Sequence, residues 1–161
     1  MTVVCSDERP SDERDLLTVD VDRWRTLASD VVAEEGGEGE LTLTFVGLDE
    51  IADLNREHMG KHGPTDVLSF PLDEQPAPGV PTLLGDVVVS PAVALEQFAE
   101  HAGTIDDELA LLVVHGILHV LGHDHREPEE TAMMRDRESA LLQRLHWRGA
   151  QPAGFRHDHS E

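Results

Sequence analysis

Between residues 21 and 35 the apolar positions Trp24, Leu27, Val31 and Val32 recur at three- and four-residue intervals. That period predicts an amphipathic helix, and Gly36 and Gly37 supply its stop. At 41–46 the period drops to two: LTLTFV alternates strictly and predicts a strand with Leu41, Leu43 and Phe45 on one face. Asp49 is expected as the N-cap of a short helix carrying Ile51 and Leu54. The Gly/Pro loop GKHGPT follows, then DVLSF, a strand ended by Pro71. Residues 73–81 are proline-rich and expected as a surface loop, and GDVVV at 85–89 is the next strand.

The second half of the chain is helical in pattern. Ser90 and Pro91 form a cap and first-turn pair for a helix to about His101, with Gly103 beyond it. Thr104 with Asp107 three positions on has the capping-box pattern and opens a strongly apolar helix over 104–121, which Gly122 ends. Pro128 begins a last helix whose apolar stripe holds Leu141, Leu142 and Leu145. Strands and helices in this mixed order imply an α+β single domain, a small mixed β-sheet packed with helices, with 104–121 as its central, most buried helix. The expected domain runs over 19–148, with flexible segments at 1–18 and 149–161.

Composition narrows the setting. The 161-residue chain carries 12 Lys and Arg against 33 Asp and Glu, a formal net charge of -21, and Lys61 is its one lysine. Such a surface keeps a protein soluble and repels polyanions at long range, so DNA is not an expected partner. High salt would screen that field, and a salt-adapted source is one reading of it; dialysis to low salt tests the reading through loss of stability. The one cysteine, Cys5, excludes an intramolecular disulfide and favours a reducing compartment. Nothing in the first residues has a signal-peptide pattern, and no apolar run is long enough to span a bilayer, so the expectation is a cytoplasmic protein without a membrane partner.

The chemistry concentrates in HGILHVLGHDH, residues 115–125. His115 and His119 lie four apart, which on a helix puts them on one face with Cβ atoms about 6 Å apart, close enough to share a metal. Gly122 lets the chain turn back, making His125 the best third ligand, whereas His123 sits at the turn itself. Three neutral imidazoles at about 2.0–2.1 Å would leave one tetrahedral position for water, the pattern of a catalytic zinc, one ion per chain. A single histidine on an apolar helix is ordinarily a hydrogen-bonded core residue, but two such rings with a third nearby are costly to bury without a cation. Nickel and copper also suit imidazole ligands. Zinc acidifies water and polarises a phosphoryl oxygen, which makes phosphodiester hydrolysis feasible at neutral pH.

Other positions are weighed against this centre. In the metallopeptidase motif HExxH a glutamate follows the first histidine; here that position is Gly116. Asp124 is the nearest carboxylate, either a general base or a partner that orients an imidazole, with a turn role as the competing reading. Asp66 and Asp86 are as expected to brace backbone as to touch substrate. Thr65 and Ser69 are candidate donors to phosphate, with turn and strand roles beside that. His58 and His62 are also four apart, but Gly60 and Gly63-Pro64 argue against a helix through them. His157 and His159 are expected in solvent, and Met133 and Met134 in packing. With no tyrosine and few aromatic residues, base-specific reading is not expected.

HGILHVLGHDH resembles the HGxLHLxGxDH signature of the YbeY family of bacterial rRNA-maturation endoribonucleases. LNREHMGKHGPTDVLSFP at 54–71 and LGDVVVSP at 84–91 agree with that family in order and spacing, so the resemblance spans roughly 19–145. It implies an α+β fold and a zinc held by His115, His119 and His125. It also implies an endoribonuclease acting on single-stranded RNA in 16S rRNA processing and ribosome biogenesis, partnered by the small ribosomal subunit and its assembly proteins. Many members carry an arginine before the glycine of the GKHGPT loop; here Met59 stands there, and Lys61 and Arg56 are the nearest cations to take an RNA-phosphate role. A zinc metallopeptidase-like hydrolase and a zinc-stabilised assembly factor with little catalysis are the alternatives.

Overall fold

The alternation of LTLTF becomes the inner part of a four-stranded sheet. A computed structural model describes residues 2–72, 79, 82–123 and 127–157. In it β1 (Thr2–Asp7) pairs in parallel with β2 (Glu40–Phe45), which pairs in parallel with β4 (Leu83–Val89). β3 (Val67–Pro71) lies antiparallel to β4, giving the order β1-β2-β4-β3. Leu41, Leu43 and Phe45 are fully buried on one face, as the period of two requires.

Around the sheet run α1 (Ser11–Leu16), α2 (Val21–Glu34), α3 (Leu48–Met59), α4 (Pro91–Gln97), α5 (Ile105–Val120) and α6 (Pro128–Leu141). α2 and α5 cover the face that carries Leu41, Leu43, Val67, Val87 and Val89, and this is the main core. The opposite face is thinner: Leu68, Phe70 and Val88 meet Ile51 and Leu54 of α3. Successive β3 residues thus point alternately at α5 and at α3, which fixes the register of the whole strand.

Several expectations are corrected. The first 18 residues are not loose: β1 is a sheet edge, Val3 is in the core, and Arg9 is buried with its guanidinium forked onto Asp7 at 2.8 Å from each carboxylate oxygen. Burial alone would raise the Asp7 pKa, but the Arg9 hydrogen bonds and charge hold it below the usual carboxylate value. Cys5, in β1, is half-buried and its thiol is pushed up to about 11, chiefly by desolvation. Asp49 is not the cap of α3. The helix begins two residues earlier, after Gly47, and its first amide, Leu48 N, is taken by the Glu13 carboxylate of α1 at 3.2 Å. A tertiary acceptor has replaced the local one.

α3 is also longer than expected, reaching Met59 before Gly60 adopts φ 66° and ends it. His58 is therefore helical, its ring edge-on to Phe70 at 5.0 Å, while His62 lies past the stop. The Thr104–Asp107 capping box is half formed. Thr104 accepts from Asp107 N at 3.1 Å, but the Asp107 carboxylate turns away to accept from His146 Nε2 and Trp147 Nε1 at 2.7 and 2.8 Å. After α6 the chain continues as a π turn, Leu142–His146, and then packs down again: Phe155 is buried in the main core. Met134 packs as expected, whereas Met133 faces solvent.

Candidate metal centre

α5 is apolar enough to be buried over nearly its whole length, so any polar group on it must find its partners inside the protein. His115 is 3 % exposed. Its Nδ1 lies 2.6 Å from Oε2 of Glu138, itself 1 % exposed on α6. A carboxylate accepts only, so His115 carries its proton on Nδ1 and turns the Nε2 lone pair outward. One helical turn on, His119 Nε2 sits 3.0 Å from that Nε2, with the two rings nearly perpendicular.

Two nitrogens bound at about 2.0–2.1 Å to one tetrahedral zinc lie roughly 3.3–3.4 Å apart, so a small side-chain rotation opens the observed pair to hold one ion. The carboxylate behind His115 is the outer partner that metal-ligating histidines ordinarily have. On the donor set and on geometry, His115 and His119 fit a zinc ion. Among the described residues no third His, Cys, Asp or Glu joins them. His125 and Asp124, the expected third ligand and carboxylate, lie outside the described residues, as does His159. His123 points elsewhere, its Nε2 3.8 Å from Oε1 of Glu35, which also receives the Arg137 guanidinium at 2.9–3.0 Å.

Gly116, between the histidines, has a steric reason. A Cβ there would lie 2.5 Å from Val87 Cγ1 and 3.3 Å from both Ser69 Oγ and Val67 Cγ2. The helix rests directly on β3 and β4 at this point, and the Ser69 hydroxyl donates to the Gly116 carbonyl at 3.0 Å. No glutamate fits where HExxH needs one. Thr65 Oγ1 lies 3.4 Å from Asp66 Oδ1. Asp66 is buried, accepting from Val67 N at 2.8 Å and from Gln97 Nε2 at 3.0 Å, so it braces the start of β3. Arg56 and Lys61 are exposed at the end of α3, Arg56 in an ion pair with Asp53, and buried Asn55 ties the following loop through Gly63 O at 2.9 Å.

Glu138 escaped the sequence reading, although a signal was there. With Met134 and Leu141 it falls at positions i, i+4 and i+7 of one buried stripe, and an acidic residue on such a stripe needs a partner. His157, expected in solvent, is also drawn in: its Nε2 lies 3.3 Å from Ser139 Oγ and 3.9 Å from Glu138 Oε1.

A mixed sheet backed by a buried helix, with a histidine pair one turn apart and a carboxylate fixing the first ring, defines an α+β protein with an imidazole pair on its central helix. The profile of the family described as Endoribonuclease YbeY matches residues 10–146. The chain belongs to that family. It is 41 % identical over 149 residues to the Endoribonuclease YbeY of Beutenbergia cavernae, covering 88 % of this chain and 95 % of that one. It is 37 % identical over 166 residues to that of Mycobacterium leprae, covering 98 % and 89 %. The solution structure of TM1509 from Thermotoga maritima superposes with a TM-score of 0.60 at 27 % identity, over 91 % of this chain and 92 % of that one.

Proposed function

We propose that the chain is a zinc-dependent endoribonuclease that hydrolyses single-stranded RNA during rRNA maturation, in the cytoplasm and on the assembling small ribosomal subunit. The observation that carries this reading is the His115–His119 pair, with Glu138 fixing one tautomer, in a chain that belongs to an endoribonuclease family. His115 and His119 would hold the ion, with His125 as the third ligand. Zinc, when bound, supplies acidified water and polarisation of a phosphoryl oxygen. Glu138 keeps the His115 proton on Nδ1 and the ring in place. Asp124 is the candidate base or orienting carboxylate. Lys61 and Arg56, exposed beside the loop that Asn55 ties, with Thr65 at its end, are the groups offered to RNA phosphate. The crowding at Gly116 counts against a metallopeptidase.

The test is to measure bound metal in the purified protein and in His115→Ala, then offer single-stranded rRNA fragments and an unfolded protein. Zinc-dependent RNA cleavage lost in the variant supports the proposal. Proteolysis, or bound metal without RNA turnover, overturns it.

A further inference from the structure

The last described stretch of the chain lies beyond the segment matched by the family profile, yet it packs onto the carboxylate behind His115. Trp147 donates to Asp107 and meets Phe155 edge-on at 4.8 Å. Phe155 N closes a turn onto Pro152 O, and Gly154 lies against Gly103 so closely that a Cβ on Gly103 would stand 3.1 Å from Gly154 O. Phe155 is buried, and its ring supports His157 edge-on at 5.0 Å. Ser139 Oγ donates to Gln151 Oε1 at 3.4 Å, so toward His157 it accepts, and the His157 proton is assigned to Nε2. That N–H edge stands 3.9 Å from Glu138 Oε1, too far for a hydrogen bond but close enough to favour the charge.

We propose that residues 149–157 are a positioning element of the metal centre. His157, braced by the Phe155 ring and donating to Ser139 Oγ, stands 3.9 Å from the second oxygen of Glu138, which is 1 % exposed. Glu138 is left with its first oxygen on His115 Nδ1. A dry carboxylate holds that hydrogen bond more strongly than a wet one, because no water competes for it and the local dielectric is low. His115 therefore presents Nε2 in one orientation. The inference rests on the zinc reading above.

The test uses full-length Phe155→Ala, His157→Ala and His157→Gln, each alone and combined with Glu138→Gln, with zinc affinity read by competition against a chromophoric chelator. Far-UV circular dichroism and melting of the metal-free chain report folding. Glu138→Gln is expected to weaken zinc binding by about 10–100-fold, the range for an outer partner of a ligating histidine. His157→Ala and Phe155→Ala are expected to weaken it by a smaller factor, about 3–10-fold, as groups acting one step behind that partner. His157→Gln, which keeps an N–H donor, should restore most of it. In the Glu138→Gln background the tail substitutions should add nothing further, a coupling that general destabilisation would not produce. Unchanged affinity in folded His157→Ala, or losses that add to that of Glu138→Gln, would overturn the proposal. A wild-type chain that takes up no zinc would instead sink the metal reading itself.

Discussion

The two ends of α5 both bury charged or ionisable side chains, and they do so in opposite ways. At the N-terminal end Glu108, fully buried, accepts from Gln97 Nε2 at 2.8 Å and Ala102 N at 3.2 Å, and the same Gln97 amide reaches Asp66. Asp107 takes two ring N–H donors. Acceptors there meet donors, and the result is a brace joining β3, α4, α5 and the π turn. At the C-terminal end His115 spends its proton on Glu138, and its remaining lone pair faces a second imidazole. Burial of an ionisable group is common to both ends; the pairing of two imidazoles, with His119 Nε2 donating to the His115 Nε2 lone pair, is confined to one. Chemistry is therefore to be sought where buried groups also form a set that suits a metal ion, not wherever a polar group is buried.

That contrast can be broken experimentally. The largest effect should come from His119→Ala, with zinc affinity falling further than the roughly 100-fold upper range of an outer partner while the metal-free chain melts nearly as the wild type does. Equal loss of melting temperature in the metal-free state would make His119 another brace. His115→Ala should also cost the metal-free protein about 1–3 kcal/mol, because Glu138 would stay buried without its donor. Next, Gln97→Ala should destabilise by about 1–3 kcal/mol and lower Tm by roughly 2–4 °C for each kcal/mol, leaving zinc affinity alone. Calorimetry and chelator competition on one preparation check both halves.

Gly116→Ala joins the two ends. Its methyl group would press on Val87, so overpacking of about 1–3 kcal/mol is expected, with a displaced helix carrying both histidines along. A melt and a zinc titration should fall together. The smallest change belongs to Asp107→Asn, which keeps an acceptor for His146 and Trp147 and loses only its charge, about 1 kcal/mol by denaturant unfolding. A loss of several kcal/mol there would mean that the charge itself holds the brace.

What was legible in the sequence follows from range. Helix and strand periods showed α2 and β2 because each buries one side continuously, α5 showed as an almost unbroken apolar run behind its cap, and His115 with His119 needed only the four-residue spacing. β1 was hidden because an edge strand half in solvent, with Val4 exposed, has weak patterning and takes its stability from β2, almost 40 residues later. Asp49 misled because the acceptor for the first amide of α3 comes from Glu13, and Asp107 because tertiary donors outcompeted the local cap. Glu138 stands 23 residues from His115, a pairing that no local rule supplies.

That separation also orders events during synthesis. His115 is translated before the acid that will orient it, and at about 5–20 residues per second the lag is roughly 1–5 s. Residues 149–157 emerge later still. A nascent chain can thus complete its sheet while the imidazole pair is still without its anchor, so the orientation of His115 is fixed only after the strands have been made.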